Sequence, residues 1–501
     1  MNLLQLLDGA EVLAQSGNPQ INGIEYDSRK IKPGCVFLAM RGESSDGNKF
    51  IDQAIASGAV AIVSDSTTEK PRPNVGWAQV AHGRRALARL SANFYQHPAE
   101  RLAISGVTGT NGKSTTAFIV ESILAAARRK SALVGTIEYH VARKILPAPH
   151  TTPESLELNQ LFAEAISQGA TEAVMEVSSH ALAQERVFGI PFDVAIFTNL
   201  TRDHLDYHKT MDEYFAAKQI LFCGCGTEPP RVAVLNGDDE FGQKLVSFSK
   251  KQGSQVFTYG WSTGDFYTKQ IQITPQGTRF DLQTPDGVIP LFSPLIGKVN
   301  VYNILAACGA AYARGCNSEA ISKGITSLAR VPGRFESVDR KQPFTVVVDY
   351  AHTDDALRNL TALVREFMQQ AGGNGRVITL FGCGGDRDRA KRPLMGEAAG
   401  RGSDFVVLTS DNPRSEDPLS IINDAQVGLQ RSGVTYKIEP DRRAAISLAV
   451  QSAKPGDIVL LAGKGHEKVQ ILGTGPVPFD DVQVAREALR DAGYDYGTTP
   501  K

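Results

Sequence analysis

The segment of this 501-residue sequence with the clearest chemistry is a glycine-rich loop between an apolar run and a helical pattern. It reads LAISGVTGTNGKS from Leu102 to Ser114, and the helical pattern continues from Thr115 to about Ala127. The backbone N–H groups of such a loop, together with the first turn of the helix, form a cradle for phosphate oxygens. Lys113 can reach the outer phosphates, and the Ser114 hydroxyl can ligate Mg²⁺. The segment therefore predicts a phosphate-binding loop.

One position departs from the general phosphate-loop pattern GxxxxGK[ST]. Its first glycine would stand at 107, where this chain has Val107, and glycines stand instead at 106 and 109. An accidental match of the remaining residues is the alternative. The order of apolar run, loop and helix argues against that alternative.

Two polar stretches farther along the chain carry side chains that can ligate a metal. Glu176 ends an apolar run and opens the stretch EVSSH, and His204 lies within NLTRDHLDYH. A Mg²⁺ ion that keeps some waters needs only one or two protein ligands besides phosphate oxygens. Glu176 and His204 can supply them, with Ser114 serving a second ion. Each residue alone could equally be a capped turn or a satisfied histidine, but together they favour a metal site.

The elements that must position these residues indicate an α/β protein with mostly parallel sheets, in three blocks. Short apolar runs rich in Val and Ile alternate with longer helical patterns, such as Gly83–Tyr95. The blocks are residues 1–98, 99–330 and 331–501. The predicted strands are Val36–Ala39, Ala59–Val63, Leu102–Val107, Ala132–Gly135, Ala173–Val177, Val194–Thr198, Val232–Leu235, Thr345–Val348, Val377–Phe381, Phe405–Leu408 and Ile458–Leu461.

Nearly every apolar run of the second and third blocks is followed at once by polar or glycine-rich residues. Ligands of open α/β sheets bind outside the carboxyl ends of the strands. Two such sheets facing each other would place these loops around one cleft. Turns are polar in general, but they do not require this density of Asp, Glu, His and Arg, so a shared site is predicted.

The overall composition is that of a globular protein and argues against several partner classes. Apolar residues make up 42%, charged residues 21%, and the net charge is −1, so nothing indicates a nucleic acid or an anionic membrane. The N-terminus lacks a basic leader and a cleavage site, and no apolar run approaches the roughly 18 residues of a membrane span. The six cysteines are scattered, which favours reduced thiols over a zinc site. We expect a cytoplasmic monomer.

Several motifs together resemble the central domain of the Mur ligase family. These are TGTNGKS ending at Ser114, EVSSH from Glu176, NLTRDHLDYH around His204 and YFAAK ending at Lys218. Val107 is the family's own form of the loop. The resemblance extends over nearly the whole chain and implies three domains. They are an N-terminal domain for a UDP-linked substrate, a central P-loop ATPase domain with a parallel sheet, and a Rossmann-like C-terminal domain for an amino acid.

The resemblance assigns catalysis and metal binding to the same few residues. It implies that CO₂ carbamylates Lys218, which becomes a metal ligand beside Ser114, Glu176 and His204. An ordinary helix-surface lysine is the alternative from the residue alone. Lys113, His204 and Lys218 are the implied catalytic residues, and ATP and Mg²⁺ the implied co-substrate and cofactor.

Three residues outside the loop complete the implied nucleotide site. Asn303, in GKVNVYN, is similar to the family residue that meets adenine, while Arg334, in PGRFE, and Asp349, in DYAH, resemble contacts from the third domain. The family usually continues the last motif with Thr-Pro-Asp, whereas this chain has TDD, which should allow a looser turn. The implied ATP-binding residues are Gly109, Thr110, Asn111, Gly112, Lys113, Ser114, Thr115, Asn303, Arg334 and Asp349.

The first block resembles the N-terminal domain of the family member that adds the third residue of the peptide. The stretches YDSR and RGESSDG match its contacts to uridine and diphosphate, and HTTPE matches contacts to the muramoyl dipeptide. Arg186 would meet the D-glutamate carboxylate, because a guanidinium pairs a carboxylate bidentately. The implied residues for the UDP-linked substrate are Tyr26, Ser28, Glu43, Ser44, Ser45, His150, Thr151, Thr152, Ser178, Gln184 and Arg186.

The third block carries the residues that would read the incoming amino acid. The stretch DNPR ending at Arg414 resembles the signature of family members that add meso-diaminopimelate, whose far end holds an ammonium and a carboxylate. Arg414 would pair that carboxylate and Glu467 the ammonium, whereas with lysine Arg414 would be left unpaired. A turn with a surface arginine is the alternative. The implied residues are Arg387, Asp411, Asn412, Pro413, Arg414, Gly463 and Glu467.

The resemblance implies an ATP-dependent ligase of peptidoglycan precursor synthesis. The D-glutamate γ-carboxylate of UDP-N-acetylmuramoyl-L-alanyl-D-glutamate would form an acyl phosphate, and the amine of meso-diaminopimelate would then displace phosphate. Lys113, Mg²⁺ and either His204 or Arg334 would neutralise the developing charge. The alternatives are a folate polyglutamylating enzyme, which lacks a full UDP-binding domain, an inactive nucleotide-binding scaffold, and a P-loop ATPase coupled to movement.

Overall fold

Three large β-sheets with helices packed on them, and one two-stranded hairpin, form the described part of the chain. The computed structural model describes residues 1–42, 45–141, 144–274, 276–370 and 373–494. The sheets follow one another along the chain in the order of the three predicted blocks.

The first sheet has five strands and three α-helices. Its strands are β1 Val12–Ser16, β2 Gly23–Glu25, β3 Cys35–Ala39, β4 Ala61–Ser64 and β5 Gly76–Val80, and its helices are α1 Leu3–Leu6, α2 Ile51–Ala56 and α3 Gly83–Phe94, with 3₁₀ turns at Ser28–Lys30, Gly47–Phe50 and Pro98–Arg101. The order is β1-β5-β4-β3-β2, parallel apart from the β1–β5 pair. Leu87 and Leu90 of α3 are buried with the sheet residues Val36, Leu38 and Val63.

The central sheet has eleven strands, β6 Ala103–Thr108, β7 Ser131–Val134, β8 Glu138–Val141, β9 Lys144–Pro147, β10 Glu172–Glu176, β11 Phe192–Phe197, β12 Val232–Asn236, β13 Gln255–Gly260, β14 Phe266–Thr274, β15 Gly277–Thr284 and β16 Gly287–Ser293. Its helices are α4 Lys113–Ala126, α5 Ser155–Ser167, α6 Ser179–Ala183, α7 Leu205–His208, α8 Met211–Cys223, α9 Glu240–Lys251, α10 Lys298–Ala313 and α11 Ser318–Ser327.

The order of this sheet is β16-β15-β14-β13-β12-β11-β6-β10-β7-β8-β9, with β6 in the interior between β11 and β10. Strands β14 to β7 in this order are parallel, and an antiparallel extension lies at each end. One apolar core lies on each face. The site segments therefore follow neighbouring parallel strands and meet at one edge.

The third sheet has six strands, with a separate hairpin beside it. The strands are β17 Glu336–Ser337, β18 Thr345–Asp349, β19 Val377–Phe381, β20 Phe405–Leu408, β21 Thr435–Ile438 and β22 Ile458–Ala462, and the hairpin is β23 Val469–Leu472 and β24 Gly475–Pro478. The helices are α12 Asp354–Gln370, α13 Lys391–Gly402, α14 Pro418–Ser432, α15 Arg442–Ser452 and α16 Asp481–Asp491. Helices cover both faces of the order β17-β18-β22-β19-β20-β21.

The predicted parallel α/β fold is confirmed, and the predicted strands are found within a few residues. The strand predicted at Ala59–Val63 begins at Ala61, and the helix predicted from Thr115 begins at Lys113. The structure adds strands that the sequence analysis does not predict, including β8, β9 and β14 to β16. These strands lie toward the ends of the sheet, and much of their surface is half-buried or exposed. They therefore lack the continuous apolar run by which an interior strand is recognised.

Candidate active site

The phosphate loop lies at the carboxyl end of β6, in the interior of the central sheet, and leads directly into α4. Gly109 has a φ of 142°, and a Cβ there would stand 1.9 Å from Thr198 Oγ1. Gly112 has a φ of 89°, and a Cβ there would stand 2.3 Å from Asn303 Oδ1. Both positions require glycine for backbone conformation and for space. The same contact brings the predicted adenine residue Asn303 against the loop.

The packing of β6 explains why valine replaces the first glycine of the general pattern. The Val107 side chain is fully buried in the core that includes α4. Gly106, the neighbouring residue, faces the other side, where a Cβ would stand 2.8 Å from the Phe192 ring. Successive strand residues point to opposite faces. Val107 therefore fills the core, while the loop itself keeps its glycines at 109 and 112.

Two lysines converge on this loop from different helices. The Lys113 ammonium donates to the carbonyl oxygens of Gly109 at 3.0 Å and Thr110 at 2.8 Å. Lys218, fully buried on α8, donates to the Gly109 carbonyl at 2.8 Å. Burial lowers the pKa of Lys113. Burial, and then the charge of Lys113, hold the pKa of Lys218 well below its ordinary value.

Glu176 lies at the end of β10, next to the loop, with its side chain buried. One carboxylate oxygen accepts from the Thr136 backbone N–H at 2.7 Å, and the other accepts from the Thr136 hydroxyl at 3.0 Å. Each oxygen has a further lone pair available. Glu176 is thus oriented by one neighbouring residue and retains acceptor capacity toward the loop.

His204 and Asp203 form the opposite wall, where the central and third sheets meet. His204 adopts φ 55°, and burial is the main cause that lowers the pKa of its imidazole to about 3. Asp203 lies 3.4 Å from Lys391 and 3.7 Å from the His352 ring, both from the third block. Burial opposes ionisation of Asp203, but the Lys391 charge and the hydrogen bond from His352 hold the pKa of Asp203 well below the ordinary value. His204 is therefore a neutral imidazole beside a carboxylate.

Arg334 connects the third block to the phosphate loop. Its guanidinium donates to Ser114 Oγ at 3.3 Å and stacks over the Tyr350 ring at 4.6 Å. Asp349, at the end of β18, accepts from the backbone N–H of Phe335 at 2.7 Å, next to Arg334 in the chain. Burial raises the pKa of Asp349.

A cavity of about 260 Å³ brings most of the predicted nucleotide and metal residues together. Gly109 and Lys218 are buried and do not line it. The predicted residues that do line it are Thr110, Asn111, Gly112, Lys113, Ser114, Thr115, Thr151, Glu176, Ser178, His204, Asn303, Arg334 and Asp349.

The donor set of this cavity fits a hard divalent cation. A hydroxyl, a carboxylate and a neutral imidazole come from Ser114, Glu176 and His204, which line the same space. Within the described ranges, no group of three or more His, Cys, Asp or Glu side chains is arranged to hold a metal alone. Phosphate oxygens and water would have to complete the coordination, as Mg²⁺ usually requires.

The residues predicted to hold uridine and diphosphate lie in the first sheet domain, away from the cavity lining. The Tyr26 hydroxyl donates to Glu157 of α5 at 2.8 Å, and Ser28 Oγ donates to Gln53 at 3.4 Å. Ser45 is exposed, and its carbonyl closes a turn with a backbone N–H. The two other residues of that predicted turn lie outside the described residues, Glu43 and Ser44.

The segment predicted to meet the dipeptide borders the Glu176 corner. Thr151 Oγ1 lies 3.0 Å from Thr136 Oγ1. Thr152 Oγ1 donates to the last carbonyl of β10 at 2.8 Å and accepts from the Ser178 N–H at 3.1 Å. The carbonyl of His150 accepts from a tyrosine hydroxyl. The hydroxyl groups of this segment therefore connect the predicted substrate residues to the metal corner.

Arg186 pairs with protein groups in this structure. Its guanidinium contacts Glu154 at 3.0 Å and Gln184 Oε1 at 2.8 Å. Arg84 of α3 contacts the same Glu154 carboxylate at 3.0 Å. Glu154 thus joins the first domain to the predicted dipeptide residues, and a substrate carboxylate would compete with it for Arg186.

Six of the seven residues predicted to read the amino acid lie on two loops that follow β20 and β22, and Arg387 lies on the loop that follows β19. The Asn412 side-chain amide donates to Glu467 at 2.9 Å and thereby joins the loops. The N–H of Gly463 donates to the carbonyl of Asp349, which ties the second loop to the nucleotide residues. The two loops carry, respectively, Asp411, Asn412, Pro413 and Arg414, and Gly463 and Glu467.

Arg414 and Arg387 both lie near Gly384, where a Cβ would stand 3.0 Å from Arg414 Nη1 and 3.7 Å from Arg387 Cγ. Arg414 adopts φ 53°, and its guanidinium donates to the Gly385 carbonyl at 2.7 Å. Arg387 donates to the carbonyl of Asp386 at 2.9 Å. Burial, and then the neighbouring Arg387 charge, lower the pKa of Arg414. The positive charge of these two arginines is suited to an anionic group of a ligand.

Each of the three parts of the chain matches a model of a known protein family. Residues 20–95 match the model described as Mur ligase family, catalytic domain, residues 107–311 the Mur ligase middle domain, and residues 333–465 the Mur ligase, glutamate ligase domain. A UDP-N-acetylmuramoyl-L-alanyl-D-glutamate--2,6-diaminopimelate ligase of Solibacter usitatus (strain Ellin6076) is 52% identical, over 99% of each chain. The chain belongs to the Mur ligase family. As a Mur ligase, it is an ATP-dependent acid–amino-acid ligase, and the predicted family and enzyme class are confirmed.

Solved structures extend this comparison to the three-domain architecture of Mur ligases. A structure of UDP-N-acetylmuramoyl-L-alanyl-D-glutamate--2,6-diaminopimelate ligase has 34% identity and a TM-score of 0.65, covering 94% of this chain and 95% of its own. Mycobacterium tuberculosis folylpolyglutamate synthase, complexed with ADP and AMPPCP, has 19% identity and a TM-score of 0.62. It covers 83% of this chain and 96% of its own, and shares the fold.

The structure adds residues to the site of this Mur ligase that the sequence analysis does not assign. Thr136, Asp203 and His352 border the cavity. Lys391 is buried beside Asp203, and Lys464 is buried beside the predicted residues Asn412 and Glu467. Asp203 lies within a motif that was recognised, and its position next to His204 was the available signal. The other residues act through partners far away in sequence. In the described ranges, no helix is long and apolar enough to cross a bilayer.

Proposed function

We propose that this Mur ligase adds meso-diaminopimelate to the D-glutamate of UDP-N-acetylmuramoyl-L-alanyl-D-glutamate in peptidoglycan precursor synthesis. The observation that carries the proposal is the placement of opposite charges on two connected loops. Arg414 stands on one and Glu467 on the other, and Asn412 joins them at 2.9 Å. A far end with both a carboxylate and an ammonium complements this arrangement, and the Solibacter relative is named for that amino acid.

In the proposed reaction, an oxygen of the D-glutamate γ-carboxylate attacks the γ-phosphorus of ATP, and ADP leaves. The amine of the incoming amino acid then attacks the acyl carbon, and phosphate leaves through a tetrahedral intermediate. Lys113 and Arg334 would neutralise the phosphoryl oxygens; both line the cavity, and Arg334 contacts Ser114 at 3.3 Å. No side-chain nucleophile is required, so positioning and charge neutralisation supply the catalysis.

ATP-binding roles are proposed for the loop residues 109–115 and for Asn303, Arg334 and Asp349. The loop amides and the start of α4 would hold the phosphates. Asn303 touches the loop at Gly112 and would lie near the base. Arg334 and Asp349 bring the third domain to the nucleotide, so the site would be complete only when the two domains are close.

Mg²⁺ would be held by Ser114, Glu176 and His204, together with a carbamylated Lys218. When bound, the ion would neutralise charge on the phosphate oxygens. Carbamylation needs an uncharged amine to attack CO₂, with loss of one proton, and Lys218 is buried beside a second lysine. Lys113, His204 and Lys218 remain the proposed catalytic residues.

The remaining proposals concern the residues that hold the UDP-linked substrate, the domain boundaries, the oligomeric state and the location in the cell. Tyr26, Ser28 and the turn that ends at Ser45 would hold uridine and diphosphate, and the residues from His150 to Arg186 named above would hold the dipeptide. We propose domains at 1–98, 99–330 and 331–501, a monomer, and a cytoplasmic location, where the nucleotide-linked precursor and ATP would both be available.

ADP release tests the proposal. Purified protein with ATP and UDP-N-acetylmuramoyl-L-alanyl-D-glutamate should release ADP steadily when meso-diaminopimelate is added. With L-lysine in its place, ADP release should be much slower. Mass spectrometry should find the UDP-tripeptide. Equal turnover with lysine, or turnover with a folate substrate in place of the UDP-dipeptide, would contradict the substrate assignment.

A further inference from the structure

Lys464 lies at the junction of the two amino-acid loops, directly after Gly463. Its side chain is fully buried, which is rare for a lysine without an acidic partner. It stands three residues before Glu467 and 53 residues after Asp411 in the sequence, and it contacts both of them. None of the roles proposed above uses this residue.

All three hydrogens of the Lys464 ammonium are directed at protein acceptors. It donates to Asn412 Oδ1 at 2.9 Å, to Glu467 Oε2 at 3.0 Å and to Asp411 Oδ1 at 3.4 Å. An ammonium has three donors, so none remains for a ligand. Lys464 therefore acts on the substrate through its neighbours, as a positioning residue.

The protein contacts of the Glu467 carboxylate are concentrated on one of its two oxygen atoms. Lys464 and the Asn412 amide both donate to Oε2. Within the described part of the chain, no side chain donates a hydrogen bond to Glu467 Oε1. The Glu467 side chain is 27% exposed. One oxygen is thus anchored by the protein, and the other is left for an ammonium group.

The hairpin β23–β24 is hydrogen-bonded to the loop that carries Asp411 and Asn412. Ile471 N–H donates to Asn412 Oδ1 at 3.0 Å, and Gln470 donates to the Asp411 carbonyl at 2.6 Å. The Arg414 N–H donates to the Ile471 carbonyl at 3.0 Å. The junction is therefore a connected polar network, in which the position of each loop depends on the other.

Lys464 also changes the charge that a ligand meets. With Lys464, Asp411 and Glu467 carry one net negative charge among the three groups, and without it they carry two. Arg414 and Arg387 add positive charge in the neighbourhood of this acidic pair. A ligand with only a distal ammonium is attracted to the acidic side and repelled by the guanidinium groups, whereas a distal ammonium with a carboxylate satisfies both sides.

We propose that Lys464 determines amino-acid specificity by compensating Glu467 and Asp411, so that a distal ammonium binds well only when a carboxylate accompanies it. This inference rests on the proposed function, and it adds a residue that touches no substrate. Without the lysine charge, the acidic pair would hold a lone ammonium more strongly, and the discrimination against L-lysine would weaken.

Steady-state kinetics with two amino acids test the inference. In Lys464→Met, which keeps an unbranched side chain one atom shorter and removes its charge, kcat/KM for L-lysine relative to meso-diaminopimelate should rise by about tenfold or more, the size expected for one charge-assisted contact. Lys464→Arg keeps the charge and should keep the preference near wild type. The KM for ATP should remain unchanged in both variants.

If Lys464 only stabilises the fold, the kinetics of Lys464→Met should differ from this expectation. Both amino acids would then lose kcat/KM by the same factor in Lys464→Met, and an unchanged ratio overturns the inference. If that variant does not fold, Lys464→Gln, which retains an amide donor for Glu467, carries the same expectation. Wild-type enzyme separates the two hypotheses: a failure to prefer meso-diaminopimelate defeats the proposed function, whereas a normal preference with an unmoved variant ratio defeats this inference alone.

Discussion

Lys113 and Lys218 donate to the same acceptor, the carbonyl oxygen of Gly109, at 3.0 and 2.8 Å. Two ammonium groups at one carbonyl repel each other, and the more deeply buried Lys218 is the one whose charge is least stable. Lys218 can relieve this repulsion by becoming an uncharged amine or an anionic carbamate. This geometry connects the phosphate loop to the proposed metal site.

Lys218→Ala should be nearly inactive in ADP release, because the proposed carbamate ligand of the metal would be lost. A short-chain carboxylic acid added to the assay should partly restore activity by occupying the vacated position. Mass spectrometry or a well-resolved map of wild-type enzyme checks the modification directly. An unmodified ammonium in fully active enzyme would refute the carbamate.

Lys113→Ala should abolish ADP formation and leave the fold intact. Lys113 binds two loop carbonyls in this structure, and each such bond contributes only about 1 kcal/mol to stability. Thermal unfolding and circular dichroism check the fold. Lys130→Ala is the matched control, since Lys130 follows the other end of α4 and its ammonium contacts the Gln168 carbonyl. Near-normal turnover of the Lys113 variant would remove the loop from catalysis.

Arg414→Ala should lose on the order of tenfold to a hundredfold in kcat/KM for meso-diaminopimelate, because a charge-assisted bond is worth roughly 1.5–3 kcal/mol. The affinities for ATP and the UDP-dipeptide should barely change. L-Lysine should gain relative to meso-diaminopimelate, since Glu467 remains. Arg389→Ala, which removes an exposed arginine paired with Asp424, should behave as wild type. An unmoved preference would leave Arg414 a turn residue.

His140 should make stability depend on pH. Burial opposes its charge, but Glu121 of α4 and Glu138 of β8 raise the pKa of His140 to about 9, above the ordinary 6.5. The stabilisation from the charged imidazole is therefore complete below pH 6.5 and disappears as pH rises through about 9. Urea unfolding of wild type and His140→Gln should give a difference in free energy that shrinks across this window. A difference independent of pH would contradict the prediction.

Asp481→Asn should destabilise the third domain by about 3–5 kcal/mol, because it leaves the buried Arg442 guanidinium without its anion. Both side chains of this pair are fully buried, and Arg442 also donates to the Ala462 carbonyl at the end of β22. Asp491→Asn breaks the exposed pair with Arg490 and should cost no more than about 1 kcal/mol. The free energies of unfolding of both variants, measured in denaturant, test this prediction. Equal small losses in both variants would mean that the buried pair is dispensable.

Much of the active site follows from local sequence pattern. The phosphate loop, Glu176 and the DNPR segment each follow an apolar run, and the end of a parallel strand is where an α/β sheet binds ligands. The positive φ of Gly109 and Gly112 is likewise a local property of the loop backbone. Such features depend on neighbours within a few residues, so the sequence determines them by itself.

Other parts of the site depend on contacts between distant segments. Asp203 and Lys391 are 188 residues apart and meet only because two domains close on each other. Lys464 and Asn412 are 52 residues apart and meet because β20 and β22 end at the same edge of one sheet. A lysine in a glycine-rich stretch carries no sign that it will be buried. Its role follows from which acidic groups the tertiary fold brings to it, because burial and charge compensation are properties of the assembled core.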